Sequence, residues 1–459
     1  MNIKRYVGDK NFYKKILAVS VPIMIQNGIT NFVNMLDNIM VGSLQIEAMS
    51  GVSIVNQFIF ILNLLIFGAV SAAGIFTAQY HGLNDTEGEK HTFRFKLIIN
   101  LLAVIAGILI FFFFQDSLIK TFLHSGSETG DLALTLSYGK KYLNIMLIGL
   151  VPYTLSQVYA STMRETGQTV LPMIAGIAAM ATNLIFNTLL IFGFLGFPAL
   201  GVAGAAIATV LSRFVELAIL VVWGHTHKEK CPYLVGAYRS LYIPRELMGH
   251  IIIKGIPIMF NELLWASAMT MRNQCYSVRG LDAVAALNIN STILNVFNVV
   301  YIALGCSIAI VVGNLLGAGE LEEAKDTARK MIAFSIFCAI LISILYVASA
   351  FVFPKLYNAG SSVRLLATYM MIVSAVAMPF NAYANAAYFT LRSGGKVLVT
   401  FLFDSGYMWA FVIPLTALFA YLTPVNIFVL FAIGQSADII KCALAYPVLR
   451  KGTWAKQIV

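Results

Sequence analysis

The sequence predicts an all-α polytopic membrane protein, with 12 transmembrane helices in two parallel-repeat six-helix bundles and both termini cytoplasmic. Three observations predict it: the composition, apolar runs of spanning length, and a register in which the chain matches itself. Of 459 residues, 59% are hydrophobic and 11% charged, and the mean hydropathy is +0.81. An ordinary soluble domain carries about 25% charged residues. The apolar runs are continuous, which excludes a β-barrel, whose strands alternate.

A helix needs about 20 apolar residues to cross the hydrocarbon core. The first such run, 14–41, follows the basic start "MNIKRYVGDKNFYKK" and has no small-residue cleavage site after it, so it reads as a span and not a signal peptide. Further runs cover 51–80, 96–122, 139–161, 170–194 and 201–224. The polar stretch "HTHKEKCPYLVGAYRSLYIPRE" then interrupts the pattern, and a second set covers 250–275, 285–312, 330–354, 365–390, 397–420 and 425–448. The expected organisation is a bundle over 1–224, a cytoplasmic loop over 225–249 and a bundle over 250–459.

The formal charge of +10 is a matter of orientation. With the start of the chain inside, 22 of 31 Lys and Arg fall in or beside the inner loops and tails, six on the outer side and three within or at the ends of spans. That is the positive-inside bias, and it implies no nucleic-acid partner. The five cysteines show no paired spacing and the six histidines, in or near loops, show no metal-site spacing on a helix. Neither a disulfide framework nor a metal site is expected.

Shifted by 235 positions, the first two spans fall on the seventh and eighth. Pro22, Ile23 and Met24 meet Pro257, Ile258 and Met259; "AQYHG" meets "GNLLG"; Lys90, Thr92 and Arg94 meet Lys325, Thr327 and Arg329. At 227 or 228, Tyr142, Pro152 and Arg164 meet Tyr369, Pro379 and Arg392. Each repeat crosses an even number of times, so the halves share one orientation. Transporters of this kind carry substrate between the halves.

Asp37 is the only ionisable residue between Ile16 and Gly42. A carboxylate in such a stretch is costly and needs a reason. Glu262 poses the same problem in the seventh span. Asn183 and Asn187, spaced i, i+4, share a helix face. Arg213 and Glu216 are three apart on the sixth span and read as a structural pair, and Asp438 and Lys441 repeat that spacing in reverse order on the twelfth. Pro22 and Pro257 interrupt their spans and are candidate hinges.

Several strings in order resemble the multidrug and toxic compound extrusion (MATE) family. They are Pro22, Gln26, Asp37 and Gly42 of the first span, "AQYHG" after the second, "MRETGQT" and "LRSGGKV" after the fourth and tenth, "TNLIFNTLLIFG" in the fifth, and "LGVAGAAIATVLS" opening the sixth. The resemblance covers essentially the whole chain. It implies antiport, in which Na⁺ or H⁺ enters down its gradient while an organic, usually cationic and amphiphilic compound leaves. It also implies that Asp37 faces a polar cavity with Asn183, Asn187 and Thr209, an all-oxygen cluster suited to a hard cation or a proton with water.

Two departures matter. Many relatives have a second Asp where this chain has Asn187, and the tenth-span acid of some relatives is missing from "PFNAYANAAYFTLR". Asp404, early in the eleventh span, either substitutes in part or faces the cytoplasm. Glu262, Asp404, Gln26 and Asn261 are the candidates for substrate or proton binding. Desolvation favours the protonated form of a buried carboxyl and a cation favours the charged form, so both ligands can compete for one group.

The expected partners are therefore small organic cations and membrane lipid, with no cofactor beyond the transported H⁺ or Na⁺. The expected setting is a plasma membrane of the bacterial inner-membrane type, with the protein a monomer. The alternative within the same fold superfamily is a flippase for a lipid-linked saccharide, which needs several intramembrane bases to hold pyrophosphate. No metal cluster, P-loop or nucleophile motif favours an enzyme or an ATP-driven pump.

Overall fold

The computed structural model describes residues 5–42, 44–122, 131–357 and 359–459, so His124 of the third connection lies outside the described residues. The helices are α1 (Lys10–Gly42), α2 (Ile46–Leu83), α3 (Thr86–Phe122), α4 (Leu132–Glu165), α5 (Val170–Phe192) and α6 (Val202–Thr226). They continue as α7 (Arg245–Ser277), α8 (Leu281–Gly317), α9 (Leu321–Ala350), α10 (Ser361–Ser393), α11 (Val397–Leu422) and α12 (Ile427–Lys451). All 12 are long and apolar enough to cross a membrane, and no strand occurs among the described residues. In a bilayer every backbone polar group needs a partner within the protein, which helices supply by themselves.

Helix ends follow local chemistry. Asp131 Oδ1 accepts from the Ala133 and Leu134 amides at 2.8 and 3.2 Å to open α4, and Asn426 Oδ1 accepts from the Val429 amide at 3.0 Å to open α12. The repeat-related prolines all lie inside helices: Pro22 in α1, Pro257 in α7, Pro152 in α4 and Pro379 in α10. Helix α11 opens α-helically over Val397–Phe401 and then takes two π-helical turns, Leu402–Gly406 and Met408–Val412, the kind of irregularity often found at functional positions.

The chain forms two compact units. One comprises Met1–Met24, Ala78–Asn84 and Ile256–Val459; the other comprises Ile25–Thr77 and Asp85–Gly255. The chain therefore changes unit inside α1, two residues after Pro22, and inside α7, immediately before Pro257. We call them the C unit and the N unit.

The N unit is built on Phe58, Phe93, Phe111, Leu143, Leu150 and Met163. The segment between α6 and α7, which reads as a polar linker, joins this core: Tyr233 and Leu234 are buried in it. Arg94 fastens the segment, donating from Nε to the Ala237 carbonyl at 2.8 Å and from its terminal nitrogens to those of Tyr242 and Gly236 at 3.2 Å each. Burial pushes the Cys231 thiol up, as befits a packing residue and not a reactive one.

The C unit packs Ile16 of α1 with Leu304 and Ile308 of α8, and Ile23 with Ala303 and Ile310. Where α2 meets α8 the contact is reciprocal. A Cβ on Gly82 would lie 1.8 Å from the Asn314 carbonyl oxygen, and one on Gly317 would lie 1.9 Å from that of Gln79. Gly82 and Gln79 are the repeat partners of Gly317 and Asn314, so the matched strings "AQYHG" and "GNLLG" cross backbone to backbone. Only glycine permits that approach.

Candidate functional site

In the N unit, α1, α5 and α6 bring together Asp37, Asn187, Asn183 and Thr209. Asn187 Nδ2 donates to Asp37 Oδ1 at 2.5 Å and to Asn183 Oδ1 at 2.9 Å. Asn183 Nδ2 donates to Thr209 Oγ1 at 3.3 Å, and that hydroxyl donates to the Ala205 carbonyl at 3.0 Å. The spacing of Asn183 and Asn187 is what lines them up on one face of α5.

Both N–H groups of Asn187 are used, yet its Oδ1 is buried and has no hydrogen-bond donor. Buried polar atoms are seldom left so, and an orphaned oxygen beside a carboxylate is an opening for a cation or a water that bears a proton. Among the described residues Asp37 takes no ion pair within 4.0 Å, and the nearby Arg213 goes to Glu216 at 3.4 Å, as their spacing predicts.

Arg164 and its repeat counterpart Arg392 take different partners. Arg164, at the end of α4, donates to Gln26 Oε1 at 2.9 Å. Its counterpart Arg392, at the end of α10, donates to Tyr388 Oη at 3.3 Å and lies 3.9 Å from Glu262 Oε1. Tyr388 Oη donates to Glu262 Oε1 at 3.2 Å, and Asn261 Nδ2 donates to Tyr388 Oη at 3.3 Å and to Asp404 Oδ2 at 3.0 Å. Glu262, Asn261 and Asp404 thus form one network; Gln26 belongs to the other unit.

Lys441 does not behave as its spacing from Asp438 suggests. Its Nζ crosses from α12 to Asp404 Oδ1 of α11 at 2.5 Å, and the ammonium lies 5.1 Å from the Phe403 ring centroid. The Asp404 side chain is 14% exposed, so it stands in the network and not in open solvent. Ser405 fixes the opposite side of Asn261 by donating to its Oδ1 and carbonyl oxygen at 2.8 Å each.

One buried polar pair was not singled out in the sequence. Lys96 of α3 pairs with Glu165 of α4, the lysine side chain 0% exposed and the glutamate 13%. Lys96 Nζ also donates to Ser161 Oγ and Thr162 Oγ1 at 3.3 and 3.2 Å, and Ser161 Oγ donates to Glu165 Oε1 at 2.7 Å. The positions are 69 apart in the chain, so no local periodicity announces them.

The MatE family profile matches residues 22–189 and 257–422. The chain is similar to the probable multidrug resistance protein NorM of Thermotoga maritima, 25% identical over 465 residues, covering 97% of this chain and 94% of that one. It is similar also to the probable multidrug resistance protein YoeA of Bacillus subtilis, 24% identical over 417 residues, covering 89% of this chain and 87% of that one. Among solved structures, the MATE transporter VcmN of Vibrio cholerae superposes with a TM-score of 0.85 at 19% identity over 96% of this chain and 97% of that one. An outward-facing multidrug resistance MATE family transporter of the MOP superfamily gives a TM-score of 0.85 at 18% identity, with 98% of both chains covered. At those identities the superpositions establish the fold alone. The chain belongs to the MatE family, the multidrug and toxic compound extrusion proteins, and is a transporter and not an enzyme.

Proposed function

We propose that this protein is a multidrug exporter of the plasma membrane, a monomer that exchanges an incoming cation at Asp37 for an outgoing organic, amphiphilic cation by alternating access between its two units. The observation that carries the reading is the Asp37–Asn187–Asn183–Thr209 line with its one orphaned buried oxygen. A single carboxylate surrounded by neutral oxygens favours a proton over Na⁺, because hard-cation affinity grows with the number of charged ligands. Protonation turns one Asp37 oxygen into a donor. The Asn187 amide then has cause to rotate and present its oxygen, loosening α5 from α1. The unit boundary beside Pro22 and Pro257 supports bending of α1 and α7 as the accompanying motion, since a proline frees a backbone carbonyl one turn earlier.

Glu262, held by Tyr388 and Arg392 in the C unit, is the proposed docking group for the organic cation. The flippase alternative requires unengaged bases for pyrophosphate. The buried bases Arg392 and Lys441 each stand against a carboxylate, which supports cationic cargo.

The test is efflux of a fluorescent organic cation from energised vesicles under an imposed pH or Na⁺ gradient. Wild type is expected to export under the pH gradient. Asp37→Asn is expected to fall to the rate of empty vesicles at unchanged membrane abundance, and Glu262→Gln to raise the substrate concentration needed for half-maximal export. Normal export by Asp37→Asn sinks the coupling role. A wild type that moves no organic cation under either gradient revives the lipid-linked alternative.

A further inference from the structure

Asp37 differs from the other buried acids, since Glu165 and Glu216 of the N unit pair with Lys96 and Arg213. In the N unit the Asp37 carboxylate meets an amide N–H. In the C unit Glu262 lies 3.9 Å from Arg392 and Asp404 pairs with Lys441. Lys441 is the closer of these two partners. Its ammonium sits on Asp404 Oδ1 at 2.5 Å with the lysine side chain 10% exposed, while Asp404 Oδ2 is held by Asn261.

We propose that the Lys441 ammonium is a tethered cation standing where an inorganic monovalent cation would otherwise sit on Asp404, so that removing Lys441 opens a Na⁺ site. A lysine supplies one positive charge and three donors in a compact head. Unlike a free ion it cannot dissociate, so the carboxylate it neutralises is withdrawn from ion exchange. Truncating the side chain empties the volume of the stem and the ammonium and leaves a buried carboxylate beside Asn261 and Tyr388. An uncompensated buried charge recruits a counter-ion or unfolds its surroundings. Oxygen ligands with water in such a space are the donor set that a hard cation takes. The proposal rests on the cation-coupled reading given above, and explains why that reading assigns the mobile ion to the N unit alone.

The experiment compares full-length wild type, Lys441→Ala, Lys441→Arg, Asp404→Asn and the double variant Asp404→Asn/Lys441→Ala. ²²Na⁺ binding and Tm are read in NaCl against choline chloride, with no gradient and no organic substrate. Lys441→Ala is expected to bind ²²Na⁺ saturably and to gain about 3 °C or more in Tm in saturating NaCl. The gain is expected to vanish in the double variant and to be absent from Lys441→Arg, which keeps the tethered charge. Two results overturn the proposal: wild-type ²²Na⁺ binding that Asp404→Asn removes, or a folded Lys441→Ala that binds no Na⁺. If Lys441→Ala does not fold, rescue by NaCl but not by choline supports the proposal. Collapse in both salts while the double variant folds overturns it. Because no transport is measured, failure of efflux under every gradient removes the coupling assignment without touching this result.

Discussion

Lys96→Met is expected to destabilise the protein by about 3–5 kcal/mol, the usual cost of removing one partner from a buried ion pair. Methionine retains the length of the stem, so the effect isolates the lost charge. Glu165 would remain beside Ser161 with its countercharge gone, in a place where α2 approaches closely: a Cβ on Gly74 would lie 2.2 Å from Glu165 Oε1. There is little room for water to replace the ammonium. A second substitution, Glu165→Gln, is expected to recover most of the loss, because an apolar or neutral replacement of both partners is often close to neutral. Thermal melts of the two variants in detergent check this. A Lys96→Met protein that melts with wild type shows that Glu165 finds solvent, and the pair is then a surface contact in energetic terms.

The second large effect is expected at the crossing of α2 and α8. Gly317→Val places a branched side chain where a lone Cβ already falls 1.9 Å from the Gln79 carbonyl oxygen. The obstacle is backbone, which cannot rotate aside, so the helices must part by about 1 Å or more; overpacking of this sort costs roughly 1–3 kcal/mol and at times more. The crossing has further partners to lose. Gln79 is fully buried, donates from Nε2 to the Ser393 and Lys456 carbonyls at 3.0 and 3.2 Å, and accepts from the Ile458 amide at 2.7 Å. The reciprocal Gly82→Val is expected to match Gly317→Val in direction and size. Monodispersity in detergent and the melting temperature measure both. A large loss at one glycine with none at the other refutes the pseudo-symmetric reading of the contact.

Much of this was legible because it is periodic. The repeat offset pairs Gly82 with Gly317 and Arg164 with Arg392; the two glycines lie in equivalent surroundings, each against a backbone carbonyl oxygen, while the arginines take different partners. Asn183 and Asn187 were legible through their helical spacing, and Asp37 through the cost of its charge. What was not legible depends on helices distant in the chain. Lys441 has an acid three residues away, yet its nearest carboxylate oxygen belongs to Asp404, brought within reach from α11. Lys96 and Glu165 each sit at the margin of an apolar run, where a charge looks like a flank facing water. The packed segment after α6 was also hidden, because its polar composition does not reveal that Arg94 ties three of its carbonyls down.

The division inside α1 bears on how the chain is made. Residues up to Met24 belong with Ile256–Val459, and the core around Ile16 and Ile23 is completed by Leu304, Ile308, Ala303 and Ile310 of α8. During synthesis, which runs at about 5–20 residues per second, the N-terminal end of α1 is inserted long before those partners exist. For some 280 residues of elongation it must wait in the bilayer or on a chaperone, its apolar face covered by lipid. Of the 12 helices, α1 is thus made first and is among the last to acquire its final neighbours.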